Sequence, residues 1–379
     1  MVAHLPIDDD RSGPPPVVSE PSELTPDWLT QVLRSPTTGD DFAVTAAGCT
    51  PIGTGQMGAS FRLELTYAGE AGGLPATMVA KLPSPDPSLR SMAAGAYRTE
   101  LGFYRDLADT VALRTPQWHH AAISDDGASF VLLLEDLHPA RQGDQIVGST
   151  PAEAARAARS LAGLHGPRWC DPSLHDLAWV APIDAEGADL LGQVTVSAVQ
   201  VFAERFADRL DPDDVVLLGQ VAEVMGAWIL GRPERFAPVH GDFRMDNLMF
   251  FPDADVLDTS GDGGPGRDLA TVDWQTVGVG LPARDLAYFL ETSLDPELRR
   301  AHEGELVGEY HRVLLTFGVE DYSYDQCFDD YRFAALQGPL ITVLGAAYGT
   351  RTERGDEMFL AMASRSCAAI RDLQSLTLI

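Results

Sequence analysis

Lysine is almost absent from this sequence. Among 27 basic residues the single lysine is Lys81, and all the others are arginine. Positive charge as a whole is scarce, because those 27 residues face 56 Asp and Glu and leave a formal net charge of −29. A surface of that sign repels nucleic-acid phosphates, which excludes nucleic acid as an expected partner. Cysteine is sparse too. Cys49, Cys170, Cys327 and Cys367 lie far apart with no metal-ligand spacing, so no zinc site is expected and a reduced cytoplasm is the simplest setting. Long apolar runs are missing: the best candidate, FAALQGPLITVLGAAYG, is broken by Gln337 and Pro339 and reads as a core helix, so no membrane partner is expected. The opening MVAHLPIDDD is acidic and has no apolar segment of the kind a secretory leader needs. No internal repeat is visible.

What is present concentrates in HGDFRMDN, His240 to Asn247, followed by the strand-like ATVDWQ that carries Asp273. Phosphoryl transfer asks little covalent chemistry of a protein. It needs a group to orient the attacking hydroxyl and oxygen ligands to hold Mg²⁺ on the phosphates. Asp242 can accept the hydroxyl proton. Asn247 and Asp273 supply hard oxygens, too few to cage Mg²⁺ without nucleotide phosphates and water. Turn capping by Asp242 and Asn247 is the competing reading, since Asp and Asn favour such positions.

Lys81 ends ATMVAK, an apolar run rich enough in β-branched residues for a strand. A compact ammonium there suits phosphate oxygens in a way that the arginines used elsewhere do not. Upstream, Gly53, Gly55 and Gly58 spell G-x-G-x-x-G, where missing Cβ atoms let backbone amides approach an anion. The following SFRLELTY alternates as a strand and not as a helix, so the context is strand, glycine loop, strand, a phosphate cover of kinase type. Downstream, GAYRTELGFYRDLAD reads as a helix that offers Glu100 as a partner for Lys81. The run SFVLLLEDL gives a buried strand, and chain order then puts a hinge at Asp136 and Leu137, whose backbone N–H and C=O would read adenine.

In this order, these residues resemble the aminoglycoside phosphotransferase and choline kinase-like superfamily, most closely its ecdysteroid kinase-like branch, over roughly residues 45 to 350. HGDFRMDN and VDWQTVGVGLPARDLAYFL carry the resemblance. It implies an α+β, two-lobed protein-kinase-like fold, with a small antiparallel-sheet N-lobe and a larger, mostly helical C-lobe. It also implies ATP and Mg²⁺ as cofactors, Asp242 as the base, Asn247 and Asp273 as metal ligands and Lys81 as the phosphate-binding lysine, with Asp285 in the segment that braces the catalytic loop. Two departures are a glycine loop richer than in many members and the insert DTSGDGGPGRD before Asp273. The expected activity is transfer of the γ-phosphoryl group to a hydroxyl of a small organic acceptor, aminoglycoside-, choline- or sterol/hydroxyacyl-like. A catalytically silent binding protein on the same fold is the alternative. A protein kinase is disfavoured, because Trp274 and Gln275 follow Asp273 and no activation segment follows them.

The organisation expected is a disordered tail over 1–20, with three prolines at Pro14 to Pro16, an N-lobe over 21–137 and a C-lobe over 138–379. Thr25 and Pro26 open a lead helix, and Thr150 with Glu153 forms a capping box ahead of a helix that Gly166 ends. His165 on that helix reads as structural. Tyr322, Tyr324, Phe328 and Tyr331, interleaved with Asp325, Asp329 and Asp330, suggest either an aromatic and acidic cation site or an ordinary amphipathic helix. Arg244 could pair a substrate carboxylate or phosphate, or brace the loop. The oligomeric state is not legible.

Overall fold

The computed structural model describes residues 15–53, 58–252 and 268–379, in two compact units. The first takes residues up to Tyr97 together with Gln117–Asp136, and the second takes Arg98–Pro116 and Leu137–Ile379.

In the first unit, Thr25 caps helix α1 (Pro26–Leu33) by accepting from Trp28 N, and proline occupies the first helical turn, where a missing N–H costs nothing. The sheet is antiparallel throughout, in the order β1 (Ala43–Ile52), β2 (Gly58–Ala68), β3 (Thr77–Pro83), β5 (Phe130–Glu135), β4 (Trp118–Ile123). Helix α2 (Pro87–Asp106) lies in sequence between β3 and β4. Along β3 the strand's two-residue period buries Met78, Ala80 and Leu82 in the core under Trp28, Leu29 and Leu33 of α1. Lys81 therefore points from the opposite face. Each fully buried Leu or Met in this core contributes about 1.5–3 kcal/mol. Residues 15–20, assigned by the sequence reading to a disordered tail, take part: Val18 is buried in this core and the Pro16 carbonyl accepts from Trp28 Nε1 at 2.9 Å.

The second unit is built around an unusually buried helix. After the short strand β6 (Arg141–Gln142) come α3 (Pro151–His165), α4 (Ala185–Arg205) and α5 (Pro212–Ile229), then the strands β7 (Ala237–Val239), β8 (Leu248–Phe250), β9 (Leu269–Thr271) and β10 (Gly278–Gly280). Helices α6 (Ala283–Ser293), α7 (Pro296–Thr316), α8 (Tyr324–Ala334), α9 (Gln337–Tyr348) and α10 (Glu353–Leu373) complete it. Every residue of α6 except Arg284 is buried, with α10, α8, α9, α7 and α3 packed against it. The capping box of Thr150 and Glu153 forms at the start of α3. Gly166 follows α3 in a right-handed helical conformation, and a Cβ there would meet the Phe317 ring at 2.5 Å, so this glycine serves close packing more than helix termination. Among the described residues no helix is long and apolar enough to cross a membrane, and the interrupted apolar run forms the largely buried α9.

Candidate active site

The HGDFRMDN segment leaves β7 as a loop and closes with a single 3₁₀ turn, Met245–Asn247, running into β8. A buried carboxylate on α6 anchors the loop's entry. Asp285 Oδ2 accepts from His240 N at 2.6 Å and Oδ1 from Gly241 N at 2.9 Å. Asp285 Oδ2 also lies 3.2 Å from His165 Nε2, while His165 Nδ1 lies 2.8 Å from the Tyr310 hydroxyl. A carboxylate can only accept here, so His165 carries its proton on Nε2 and Tyr310 donates to Nδ1. The structural reading of His165 is correct, and its service is to hold the residue that holds the loop. Gly241 has φ +80°, and a Cβ there would stand 2.6 Å from the Thr276 carbonyl, so this position requires glycine. The His240 ring bridges outward, with Nε2 3.1 Å from the Val272 carbonyl and Nδ1 accepting from Asp242 N at 3.3 Å.

Asp242 receives three side-chain donors. Tyr288 OH reaches Oδ1 at 2.8 Å, Arg244 Nε spans both oxygens at 3.0 Å each, and Asn247 Nδ2 reaches Oδ2 at 3.0 Å. About 20% of the Asp242 side chain stays exposed, enough for an acceptor hydroxyl to approach. Tyr288 is fully buried, and burial, reinforced by the neighbouring Asp242 carboxylate, pushes its phenol well above its ordinary value, so it stays a donor. Arg244 turns its other end to Asp246 at 2.9 Å. Burial works against the Arg244 charge, but Asp242 and Asp246 outweigh it and raise its pKa. The brace is the role its contacts describe.

Asn247 uses its amide nitrogen on Asp242, both on the side chain and on the Asp242 carbonyl at 2.9 Å. Its amide oxygen is thereby turned away from the carboxylate. Strand register brings the Asp273 segment alongside. Leu248 pairs with Thr271 across β8 and β9, and Val272 N continues the ladder by donating to the Asn247 carbonyl at 3.0 Å. Asp273 is the next residue, at φ +68°, a left-handed conformation that costs a non-glycine residue energy and turns the chain sharply after the ladder. Next to it, the Trp274 ring stacks on Phe103 at 3.6 Å between centroids and lies 4.6 Å from the His240 ring. The two oxygen groups suit Mg²⁺ in type, and among the described residues no three His, Cys, Asp or Glu side chains gather as a complete metal cage.

A further layer fixes the middle of the loop. Gln145 is buried and accepts from Met245 N at 2.8 Å. Asp246 accepts from Gln145 N at 2.9 Å and from both terminal nitrogens of Arg354, at 3.0 and 2.9 Å, at the start of α10. Burial works against the Asp246 charge, yet Arg354 and Arg244 outweigh it and hold the carboxyl below the usual range. The sequence reading missed Tyr288, Gln145 and Arg354. Tyr288 had a detectable signal, because its i, i+3 spacing from Asp285 places both on one face of α6.

The other expected site residues fall as follows. Lys81, half-buried on β3, pairs with Ser60 on β2 and Leu132 on β5, in the middle of the five-stranded sheet. Gly53 ends the β1 side of the glycine loop at φ +71°, Gly58 begins β2, and Gly55 lies outside the described residues, as does most of the insert before Asp273. Glu100 is fully buried on α2 and belongs to the second unit. The Asp136 carboxylate forms an ion pair with Arg62, 2.8 Å from Oδ2 to Nε. Leu137 begins the larger segment of the second unit, and its carbonyl accepts from Ala140 N at 2.8 Å, which leaves one lone pair for another partner. The 321–333 segment does not offer Asp329 and Asp330 as open cation ligands. Asp330 is buried and held by Arg232, Arg235 and the Tyr322 hydroxyl, and Asp329 is paired with Arg232. These carboxylates are spent on internal guanidinium groups.

A profile of the ecdysteroid kinase-like family matches residues 215–320, the stretch that contains Asp242, Asn247, Asp273, Asp285 and Tyr288. A crystal structure from Ralstonia eutropha, assigned by its description to the aminoglycoside phosphotransferases, superposes with a TM-score of 0.53 over 92% of this chain and 96% of that one, at 15% identity. The choline kinase of Cryptosporidium parvum superposes with a TM-score of 0.52 over 87% of this chain and 90% of that one, at 10% identity. The fold is that of the aminoglycoside phosphotransferase and choline kinase-like superfamily. Within this kinase-like fold the expected antiparallel sheet and mostly helical remainder are both present. In sequence, mouse acyl-CoA dehydrogenase family member 10 is 35% identical over 127 residues, which span 29% of this chain and 11% of that protein.

Proposed function

We propose that this protein is an ATP-dependent small-molecule O-kinase that transfers the γ-phosphoryl group to a hydroxyl of a small organic acceptor. One observation carries the reading: a single loop ties Asn247 to Asp242, and the strand register beside it bonds Val272, the residue before Asp273, to the Asn247 carbonyl. In this reading Asp242 takes the proton of the acceptor hydroxyl as its oxygen forms a bond to the γ-phosphorus. The bond from that phosphorus to the β–γ bridging oxygen breaks, and ADP leaves with the electron pair. Asn247 Oδ1 and the Asp273 carboxylate would hold Mg²⁺, which supplies positive charge to the phosphate oxygens when bound. The strained backbone at Asp273 supports this role, since such conformations persist where the surroundings fix a functional group. Lys81, Gly53, Gly55 and Gly58 would contact the phosphates, and the backbone at Asp136 and Leu137 would read adenine.

The pairing of Asp329 and Asp330 with arginines speaks against a cationic acceptor held by the 321–333 segment. Hydroxylated neutral or anionic compounds are the class to test first. The experiment is a screen of hydroxylated metabolites and antibiotics for acceptor-dependent ADP release from MgATP, with Asp242→Asn alongside. A positioned base contributes about 10²–10⁴ in rate, so the variant should lose that much turnover while ATP affinity stays near normal. ATP binding with no ADP release for any compound would favour the silent binding protein, and near-normal turnover in the variant would remove Asp242 from the chemistry.

A further inference from the structure

Helix α6 supports the catalytic loop at two points one helical turn apart. Asp285 receives the backbone of His240 and Gly241, and Tyr288, three residues on, gives its hydroxyl to Asp242 Oδ1 at 2.8 Å. The phenol is fully buried, on a helix whose residues are buried almost without exception, so its position is set by packing. Arg244 divides its contacts: its Nε bridges both oxygens of Asp242 evenly, and its Nη1 is given to Asp246. A carboxylate has about four acceptor positions, and the four contacts made by Tyr288, Arg244 and Asn247 address them all. An arriving hydroxyl can displace one branch of the bifurcated Arg244 contact without disturbing Tyr288.

We propose that Tyr288 is a positioning residue for phosphoryl transfer: its buried hydroxyl fixes the rotation of the Asp242 carboxylate so that one oxygen faces the acceptor. The inference rests on Asp242 being the base, as argued above. Loss of one hydrogen bond to a charged group corresponds to about 10- to 100-fold in rate. A neutral scaffold tyrosine would not concentrate that loss in turnover.

The test compares wild type, Tyr288→Phe, Asp242→Asn and the double variant, by ADP release from MgATP with the compound that supports turnover and with water as acceptor. Tyr288→Phe keeps the ring and its packing. The expected result is kcat lowered by about 10- to 100-fold with KM for MgATP within about twofold of wild type, and no further loss when the change is added to Asp242→Asn. Thermal unfolding of the four proteins supplies a second cycle, in which the two changes should be less than additive. Wild-type kcat in Tyr288→Phe beside an inactive Asp242→Asn overturns the role of Tyr288 alone. Parallel losses of kcat, nucleotide affinity and melting temperature, additive with Asp242→Asn, also overturn it and make Tyr288 scaffold. Absence of ADP release from the wild-type protein with every acceptor strikes at the kinase reading instead.

Discussion

Replacing Asp285 with asparagine tests the architecture of the loop most directly. The carboxylate serves three donors: the His240 and Gly241 amides at 2.6 and 2.9 Å and His165 Nε2 at 3.2 Å. Asparagine keeps the shape but offers one oxygen, and its NH₂ must face an N–H. One charge-assisted hydrogen bond is lost, at about 1.5–3 kcal/mol, and a buried donor is left unpaired, at about 1–3 kcal/mol. Their sum, about 2.5–6 kcal/mol, lowers the melting temperature by roughly 3–8 °C at about 1.3 °C per kcal/mol, from about 2.1 cal/mol/K of unfolding entropy per residue in a chain of this size. Turnover should fall further than stability suggests, because the Asp242 backbone follows directly after the two amides that Asp285 anchors, and a displacement near 1 Å can cost about 10²-fold. Calorimetry and ADP release on the same preparation measure both. A melting temperature within about 2 °C of wild type would refute the energetic argument. Normal turnover in a destabilised variant would separate the anchor from the chemistry.

Lys81→Met should raise KM for MgATP and leave acceptor binding unchanged, and Lys81→Arg should not restore it, because a planar guanidinium does not replace a compact ammonium; wild-type kinetics in either variant would remove Lys81 from the phosphate site. Asp246 gives a pH dependence of definite sign. Its carboxyl is held below the usual range by Arg354 and Arg244 against the cost of burial, so its stabilisation is present above the unfolded value, near pH 4, and disappears as pH falls through the lower folded value. Urea midpoints measured from about pH 7 to pH 3 should therefore fall more steeply in wild type than in Asp246→Asn, and parallel curves would contradict the assignment.

The candidate groups of the loop were legible in the sequence because they are local. An aspartate five residues before an asparagine, with a second aspartate just past the next apolar strand, is a spacing that one turn and one strand pair can satisfy. The same holds for Thr25, Pro26, Thr150 and Glu153, whose capping bonds reach at most three residues. The alternation around Lys81 indicated a strand without any knowledge of its neighbours.

Only the tertiary structure decided how that loop is held. Asp285 meets His240 across 45 residues, Gln145 meets Met245 across 100 and Arg354 meets Asp246 across 108. Burial makes such pairs necessary, because an amide or a carboxylate removed from water must find a partner somewhere, while the sequence gives no register for where. The acidic, aromatic segment near the C-terminus illustrates the same limit. Its composition was compatible with an open cation site, but Arg232 and Arg235, almost 100 residues earlier in the chain, fold onto Asp330 and consume the charge. Residue type and short spacing determined which groups could do chemistry here; packing determined which of them were left available to do it.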